Sequence, residues 1–282
     1  MIQTAMQLKA KIRNMANGDS TKAQILIRNY MMERFLERCA TSKYKDYFVL
    51  KGGMFVASYV GLDTRATMDI DTTIQKLPLT VDFMKTVIQE MIDIPLNDGV
   101  TFQIIDVREI MEEHDYPGIR FMLDSYFDQM KQPIKIDISI GDIITPGAIE
   151  YSYPLMFEDR VITILTYNIE TVLSEKMETI LSRAEANTRM RDFYDIYVLL
   201  LEKGREIRAH ILRDAFFATC NRRKSRELVV DAKNIILDIK TNENIKKQWE
   251  NYRSSNYYVG ELEWEEVFFG TIQLAKKLKI MG

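Results

Sequence analysis

The chain has 282 residues, of which 46% are apolar and 28% charged, and its net charge at pH 7 is −3. This length suits one large domain or two smaller ones, and the near balance of charges excludes a chain that binds polyanions over its whole surface. The two cysteines and two histidines argue against a disulfide framework and against a structural zinc site. We expect a cytoplasmic protein, since both cysteines lie in helix-like contexts that suggest reduced thiols. The N-terminus lacks an apolar signal core, and no apolar run reaches membrane-spanning length.

The predicted elements change in kind along the chain. Before residue 168, capping residues and apolar periodicity predict helices and strands together. The helices are residues 3–16, 20–39, 54–60 and 81–92, the second capped by Ser20–Thr21 and the last by Thr80. The strands lie around residue 70 and at 100–107, 119–127, 133–140 and 161–167, with a polar segment over 112–118 and a loop over 143–154.

From Ile169 onward the strand signals vanish. Helical periodicity predicts six helices, at about 169–186, 189–203, 206–220, 224–241, 243–254 and 261–279. Asn168 is the predicted cap of the first of them. We therefore predict an α+β fold with a mixed domain over residues 1–168 and a helical domain over residues 169–282.

The stretch from Phe48 to Gln75 combines features that suit a phosphate and a metal ion. Gly52 and Gly53 free the backbone to turn and to approach a ligand closely, and they precede a short apolar helix. Asp69 and Asp71 alternate with apolar residues, so on a strand they share one face, about 7 Å apart along it. Such carboxylates can converge on a hard divalent cation.

A second alternating strand carries Asp137, flanked by Lys135 and Ser139, with isoleucines on its opposite face. If the two strands are neighbours, Asp137 joins Asp69 and Asp71. Three carboxylates can hold two Mg²⁺ ions, which neutralise a triphosphate and activate an attacking hydroxyl. A solvated strand face remains the alternative for Asp69 and Asp71 taken alone.

These motifs resemble those of the AbiEii/AbiGii toxin family of DNA polymerase β-like nucleotidyltransferases, over about residues 48–200 and in the family's order. The motifs are Lys51-Gly52-Gly53 with Arg65-x-Thr67-x-Asp69-Ile70-Asp71, then Lys135-Ile136-Asp137-Ile138, then Glu175-Lys176, then Arg191-Asp192-Phe193-Tyr194-Asp195. Two departures are a longer gap between Gly53 and Asp69 than in the compact polymerase pattern, and Met190-Arg191 where the family often has a lysine.

The resemblance implies a polymerase-β-like mixed sheet followed by a C-terminal helical bundle. It also implies a toxin of a type IV toxin–antitoxin or phage-defence (abortive infection) system. Such a toxin would move a nucleotide from an NTP to an RNA acceptor, in related toxins the 3′ end of tRNA, with Mg²⁺ or Mn²⁺ and release of pyrophosphate. The implied partner is a winged-helix antitoxin encoded alongside, and no membrane is involved.

The resemblance also implies roles for individual residues. The catalytic residues would be Asp69, Asp71, Asp137, Lys176, Asp192 and Asp195, of which Asp69, Asp71 and Asp137 would bind metal. The nucleotide-binding residues would be Lys51, Gly52, Gly53, Arg65, Thr67 and Arg183.

Several alternatives stay open from the residues themselves. Asp192 and Asp195 lie three apart on a predicted helix, so they share a face and could instead form ion pairs, such as Arg191 with Asp195. The acceptor could be a protein or small-molecule hydroxyl rather than RNA. A third possibility is a nucleotide-binding regulator without catalytic activity. The presence of aspartate at all three acidic positions argues against it.

Overall fold

The computed structural model describes residues 2–112 and 116–281. The chain folds into two compact units, each assembled from three segments. The first comprises Met1–Ser58, Ala66–Asp142 and Ile149–Thr166, and the second comprises Tyr59–Arg65, Ile143–Ala148 and Tyr167–Gly282.

The first unit is built on a seven-stranded mixed sheet in the order β3-β4-β5-β2-β1-β7-β6. Its strands are β1 (Phe48–Lys51), β2 (Ile70–Ile74), β3 (Val100–Glu112), β4 (Tyr116–Phe127), β5 (Met130–Ile140), β6 (Ile149–Pro154) and β7 (Val161–Thr166). Strand β2 runs parallel to β5 and β1 runs parallel to β7, whereas the other neighbours are antiparallel. Together with the helices, this mixed sheet confirms the predicted α+β class.

The helices that precede residue 169 are α1 (Ala5–Ala16), α2 (Ser20–Thr41), α3 (Gly52–Val60) and α4 (Val81–Ile92). Helix α2 packs against β5, β7 and α4. Thr80 caps α4 as predicted, its hydroxyl accepting from the Phe83 N–H at 3.4 Å. Helix α2 is capped by Asp19 instead of the predicted Ser20–Thr21, because the Asp19 carboxylate accepts from the Lys22 N–H at 3.0 Å.

Two loop predictions in this unit were wrong. Residues 149–154 of the predicted loop form β6, which pairs with β7 along its whole length. The two-residue alternation of Tyr151 and Tyr153 was the available signal, and Tyr153 is buried. Strands β3 and β4 also run further than predicted, to Glu112 and Tyr116. Residues 113–115 of the predicted polar segment lie outside the described residues.

The second unit is helical. Its helices are α5 (Ile169–Arg183), α6 (Met190–Lys203), α7 (Ala209–Arg222), α8 (Ala232–Thr241), α9 (Glu243–Ser255) and α10 (Trp264–Leu278), with 3₁₀ turns at Ala184–Ala186 and Arg226–Val229. Asn168 caps α5 as predicted, accepting from the Thr171 N–H at 2.8 Å. The single helix predicted over 224–241 is wrong, since Asp231 leaves helical geometry and precedes the new helix α8. Across residues 2–112 and 116–281, no helix is long and apolar enough to cross a membrane.

A buried carboxylate in α2 gives the first unit a pH-dependent stability. Glu33 accepts hydrogen bonds from the Met156 N–H at 2.8 Å and from Asn29 Nδ2 at 2.9 Å. Burial raises the pKa of Glu33 to about 8, and these hydrogen bonds and the Arg34 charge offset the rise only in part. Asn29 Oδ1 has no hydrogen-bond partner within the described chain, so a flipped Asn29 amide can accept from protonated Glu33.

We expect Glu33→Gln to stabilise the protein selectively at high pH. Between the ordinary pKa of 4.5 and about 8, folded protein holds a proton on Glu33 that unfolded protein has lost. Stability therefore falls as pH rises through this window. Glutamine keeps the donor of the protonated acid, so the variant should match wild type near pH 5 and unfold at higher temperature near pH 8.5, by roughly 2–4 °C per kcal/mol gained. Circular-dichroism melts across this range test it, and a pH-independent difference would contradict the assignment.

Candidate functional site

Two of the three predicted metal-binding residues, Asp71 and Asp137, lie in a charged row that crosses four adjacent strands, whereas Asp69 precedes β2. Lys51 on β1 stands opposite Asp71 on β2, Asp71 opposite Asp137 on β5, and Asp137 opposite Arg120 on β4. Residues that stand opposite each other on paired strands place their side chains on the same face of the sheet. The row therefore brings two carboxylates side by side, with a cation at each end.

Asp71 lies directly over the glycine turn. Gly52 has a φ of +67°, in the left-handed region, and a Cβ built on it would lie 2.3 Å from Asp71 Oδ2. Only glycine accommodates both the backbone angle and the approach of the carboxylate. Gly52 and Gly53 open α3, whose first backbone N–H groups lack partners within the helix. An electropositive helix start therefore adjoins a carboxylate.

Replacing Gly52 by alanine should damage the site beyond its effect on stability. The left-handed backbone costs an alanine about 1–2 kcal/mol, and the added methyl group displaces the Asp71 carboxylate. We expect the activity of the site to fall by at least about tenfold, since a misplacement of roughly 1 Å can cost far more. Gly18 is the matched control, because its φ is +85° and nothing lies within 4 Å of an added Cβ. Equal activity of the two alanine variants would contradict this role.

Asp69 and Asp137 carry cationic partners from neighbouring positions. Arg120 donates from Nε to Asp137 Oδ1 and from Nη2 to Asp137 Oδ2, both at 2.7 Å. Lys135 Nζ lies 2.7 Å from Asp69 Oδ2 and 3.8 Å from Asp137 Oδ2. The pKa of Arg120 is raised, first by its hydrogen bonds to Asp137 and further by the charges of Asp69 and Asp71. Arg120 is thus within electrostatic reach of all three carboxylates.

The donor set suits a hard divalent cation, which takes carboxylate oxygens. The Gly52 turn leaves Asp71 a space that a side chain would fill. As the side chains stand, no three carboxylate, imidazole or thiol groups among the described residues converge as a metal site. Asp137 is engaged by Arg120 at both oxygens and Asp69 by Lys135. The donor chemistry therefore fits a divalent cation, whose binding would require Arg120 and Lys135 to release these oxygens.

Lys51 and Thr67, both predicted to bind nucleotide, make contacts within the first unit. Lys51 Nζ donates to Ser139 Oγ at 2.7 Å and to Asp142 Oδ2 at 2.9 Å, and both members of this ion pair are largely buried. Burial pushes the pKa of Asp142 up, but the Lys51 charge and the hydrogen bonds outweigh it and hold that pKa below its usual range. The Thr67 hydroxyl donates to the Asp69 carbonyl at 3.3 Å.

In the second unit, Lys176 bridges the two acidic residues of α6. Its Nζ lies 2.9 Å from Asp192 Oδ1 and 2.7 Å from Asp195 Oδ2. Arg189 Nε donates to Asp192 at 2.9 Å, and Arg65 Nε donates to Asp195 at 2.6 Å. Three cations and two carboxylates thus alternate in one network. Its acidic members pair with these residues and not through the Arg191–Asp195 contact considered from the sequence.

The network keeps both carboxylates ionised although they are buried. Burial alone would raise the pKa of Asp192, but the charges of Lys176 and Arg189 overcome it and lower that pKa to about 2. The pKa of Asp195 is lowered in the same way, against burial, by Arg65 and Lys176. The stability that Asp192 contributes is therefore complete above its ordinary pKa of 3.8 and is lost as pH falls toward about 2.

Arg65 belongs to this network, and its segment is held by tyrosines of the same unit. Its guanidinium lies over the Tyr258 ring, 5.9 Å from the centroid. Tyr194 donates to the Thr64 carbonyl at 2.6 Å, and Tyr257 donates to the Leu62 carbonyl at 3.3 Å. Arg183, also predicted to bind nucleotide, ends α5 half-buried.

Sequence reasoning did not single out Arg120 or Asp142, and it did not pair Arg189 with Asp192. Arg189 was within reach, because it lies three residues before Asp192 and an i,i+3 pair of opposite charge is a recognised signal. Arg120 and Asp142 carry no local motif. Their partners follow only from the strand register and from the turn after β5.

Comparisons with known proteins place the chain in a family. A sequence model described as nucleotidyl transferase AbiEii toxin, type IV TA system, matches residues 34–269. Curated proteins gave no significant match. MenT4, a nucleotidyltransferase toxin from Mycobacterium tuberculosis H37Rv, is 13% identical over 97% of this chain and 98% of its own, with a TM-score of 0.59. JHP933 from Helicobacter pylori is 17% identical over 91% and 94% of the two chains, with a TM-score of 0.49.

At these identities the likeness to solved structures concerns the fold, and the MenT4 match supports the predicted one. The family match covers most of the chain and includes every motif quoted from the sequence. It confirms the predicted resemblance and the enzyme class. The chain therefore belongs to the AbiEii family, the nucleotidyltransferase toxins of type IV toxin–antitoxin systems.

Proposed function

We propose that the protein transfers a nucleoside monophosphate from an NTP to the 3′ hydroxyl of a tRNA, in a reaction that depends on Mg²⁺ or Mn²⁺. The observation that carries this proposal is the in-register pair Asp71 and Asp137 beside the glycine turn at Gly52. A bound divalent cation would supply charge neutralisation at the triphosphate. Such a site needs adjacent carboxylates and backbone donors; the row supplies the carboxylates, and Gly52 and Gly53 at the start of α3 supply the donors.

We assign roles to the chain's own groups on this basis. Asp69, Asp71 and Asp137 would hold the metal, and Asp137 would also orient the acceptor hydroxyl or take its proton. Gly52 and Gly53 present backbone N–H groups to the phosphates, and Thr67 adds a hydroxyl. Lys176 is the compact positive charge for the triphosphate and acts from its place between Asp192 and Asp195, in a network whose three cations and two carboxylates leave one net positive charge. Arg183, on the same helix, is an additional phosphate contact.

Four residues are better assigned as supports. Lys51 and Arg65 would reach a nucleotide only by leaving buried ion pairs with Asp142 and Asp195, which is costly in a site of low polarity. We propose that Lys51 fixes the end of β1 and that Arg65 anchors the segment before Thr67. Asp192 and Asp195 then hold Lys176 in place and act through it.

RNA is favoured as the acceptor by the cations of the second unit. Exposed basic side chains occur on several of its elements, at Arg191, Arg222, Lys224, Lys247, Lys276, Lys277 and Lys279. Each supplies a positive charge that could contact a phosphate backbone, although the net charge of the whole chain is −3. An alternative within the same enzyme class is transfer to a protein or small-molecule hydroxyl.

The partners follow from the family. The type IV toxin–antitoxin class implies an antitoxin, and we propose a winged-helix protein encoded alongside, with a role in phage defence. Because the reaction uses an NTP and tRNA, we also propose that the protein acts in the cytoplasm.

Incubation with NTPs labelled at the α-phosphate, Mg²⁺, total RNA and total protein tests the acceptor. We expect label in the tRNA-sized RNA fraction and in only one or a few of the four NTP reactions. Label in the protein fraction would favour the alternative acceptor. Label in no fraction, with no release of pyrophosphate, would contradict the proposed function.

A further inference from the structure

Two basic side chains of the first unit occupy the carboxylates that the proposed function gives to the metal. Arg120 binds both oxygens of Asp137 in a fork, the strongest geometry for a guanidinium and a carboxylate. Lys135 contacts Asp69 and approaches Asp137. A divalent cation at these oxygens would meet two positive charges already in place.

The strand register explains why Arg120 and Lys135 lie beside the carboxylates. Arg120 stands opposite Asp137 on β4, and Lys135 lies two residues before Asp137 on β5. Both side chains therefore emerge on the same face of the sheet as the carboxylate. Their charges remain partly accessible, with side-chain exposures of 28% for Arg120 and 25% for Lys135. Partial exposure lets each side chain swing toward solvent, which a fully buried ion pair would resist.

We propose that Arg120 and Lys135 are internal counter-ions that hold the acidic cluster together without metal and are displaced when a divalent cation binds. The inference rests on the proposed metal site. The competition links metal binding to side-chain release, so the cluster is stable in both states and metal affinity is lower than the carboxylates alone would give. Arg120 acts here through Asp137, as a competitor of the metal and not as a ligand of it.

A role in which Arg120 assists metal binding predicts the opposite change in metal affinity. If Arg120 instead orients Asp137 for the metal, its removal should weaken metal binding. If Arg120 competes with the metal, its removal should strengthen binding, because the carboxylate oxygens are then free and the repulsion between cations is gone. The sign of the change in metal affinity therefore separates the two roles, and a purely structural role would not raise affinity.

The test is Mn²⁺ binding to the protein, with free Mn²⁺ measured by electron paramagnetic resonance. Arg120→Met keeps an unbranched apolar stem and removes the charged guanidinium. We expect it to bind Mn²⁺ at least about fivefold more tightly than wild type, the low end of typical coupling between sites. Arg108→Met is the matched control, because Arg108 stands opposite Arg120 on β3, is exposed and pairs with Asp106. It should bind Mn²⁺ as wild type does.

Lys135→Met provides an independent variant if Arg120→Met does not fold, and it should change affinity in the same direction through Asp69. Equal or weaker Mn²⁺ binding by a folded charge-removal variant, with wild type binding normally, would overturn this inference alone. Absence of Mn²⁺ binding in wild type and variants would overturn it together with the metal dependence of the proposed function. Nucleotide transfer that persists when divalent cations are chelated would show that the metal dependence of the proposed function is wrong as well.

Discussion

Replacing Asp71 by asparagine should reduce nucleotide transfer by at least about a hundredfold, the loss typical of a preorganised group at a charged transition state. The asparagine keeps the size of the side chain and its place over Gly52 but loses the negative charge that a divalent cation needs. Asp137→Asn should have an effect of the same size, because Asp137 stands directly opposite Asp71 on the neighbouring strand. Both rates are measured as α-labelled nucleotide incorporated per minute under saturating Mg²⁺.

Asp137→Asn should also affect stability. Asp137→Asn loses a two-point ion pair with Arg120 and should unfold about 1 kcal/mol more easily, a modest cost because Arg120 is partly exposed. Asp106→Asn is the control for replacing an acidic strand residue, since Asp106 is exposed on β3. It should keep its activity. Full activity of folded Asp71→Asn would contradict the assignment of Asp71 to the metal.

Lys176→Ala should also abolish most activity, by about 3–4 kcal/mol of barrier or roughly a hundred- to thousandfold in rate. Charge that develops on the pyrophosphate leaving group needs a cation that is already positioned. Asp192 and Asp195 hold Lys176 from both sides, and an ammonium placed in this way is preorganised. Growth inhibition in a bacterial host should be relieved together with the loss of transfer.

The ion pairs of Lys176 require a control for folding. Its removal leaves two buried carboxylates that keep one arginine each, so we expect a loss of about 3 kcal/mol, the lower end for a broken buried pair. Rates must therefore be measured on protein shown to be folded by its unfolding midpoint. Lys176→Arg should keep the charge and the fold but restore transfer poorly, because a planar fork differs from a compact ammonium.

Lys203→Ala is the matched surface control. Lys203 lies on α6, is partly exposed and pairs with Glu206 three residues on, so its loss should change neither stability nor toxicity measurably. If the Lys176 and Lys203 alanine variants inhibit growth equally, Lys176 has no part in the reaction.

The acidic pair illustrates how far sequence patterns reach. Alternation placed Asp71 and Asp137 on strand faces, and the pairing of β2 with β5 puts them opposite each other. Their neighbour Arg120 was not predictable, because it depends on the hairpin between β4 and β5. That hairpin turns between Phe127 and Met130, seven residues from Arg120 and from Asp137 respectively, without an Asn-Gly or Asp-Gly signal.

The second unit shows a different limit. Lys176, Asp192 and Asp195 were selected by resemblance, and their mutual contacts are consistent with helical spacing on α5 and α6. The partner of Asp195 on its other side, Arg65, is 130 residues away and follows from no local pattern. Each compact unit is assembled from three segments of the chain. The predicted division into two contiguous domains, with a boundary between residues 168 and 169, therefore stays a prediction.

One measurement tests the central claim most directly: transfer of α-labelled NTP to purified tRNA whose 3′ end is either intact or oxidised by periodate. Oxidation destroys the terminal diol and leaves the rest of the RNA unchanged. We predict Mg²⁺-dependent labelling of intact tRNA, with one pyrophosphate released for each nucleotide incorporated, and no labelling of oxidised tRNA. Equal labelling of both RNAs, or labelling of neither while NTP is consumed, would contradict transfer to the tRNA 3′ hydroxyl.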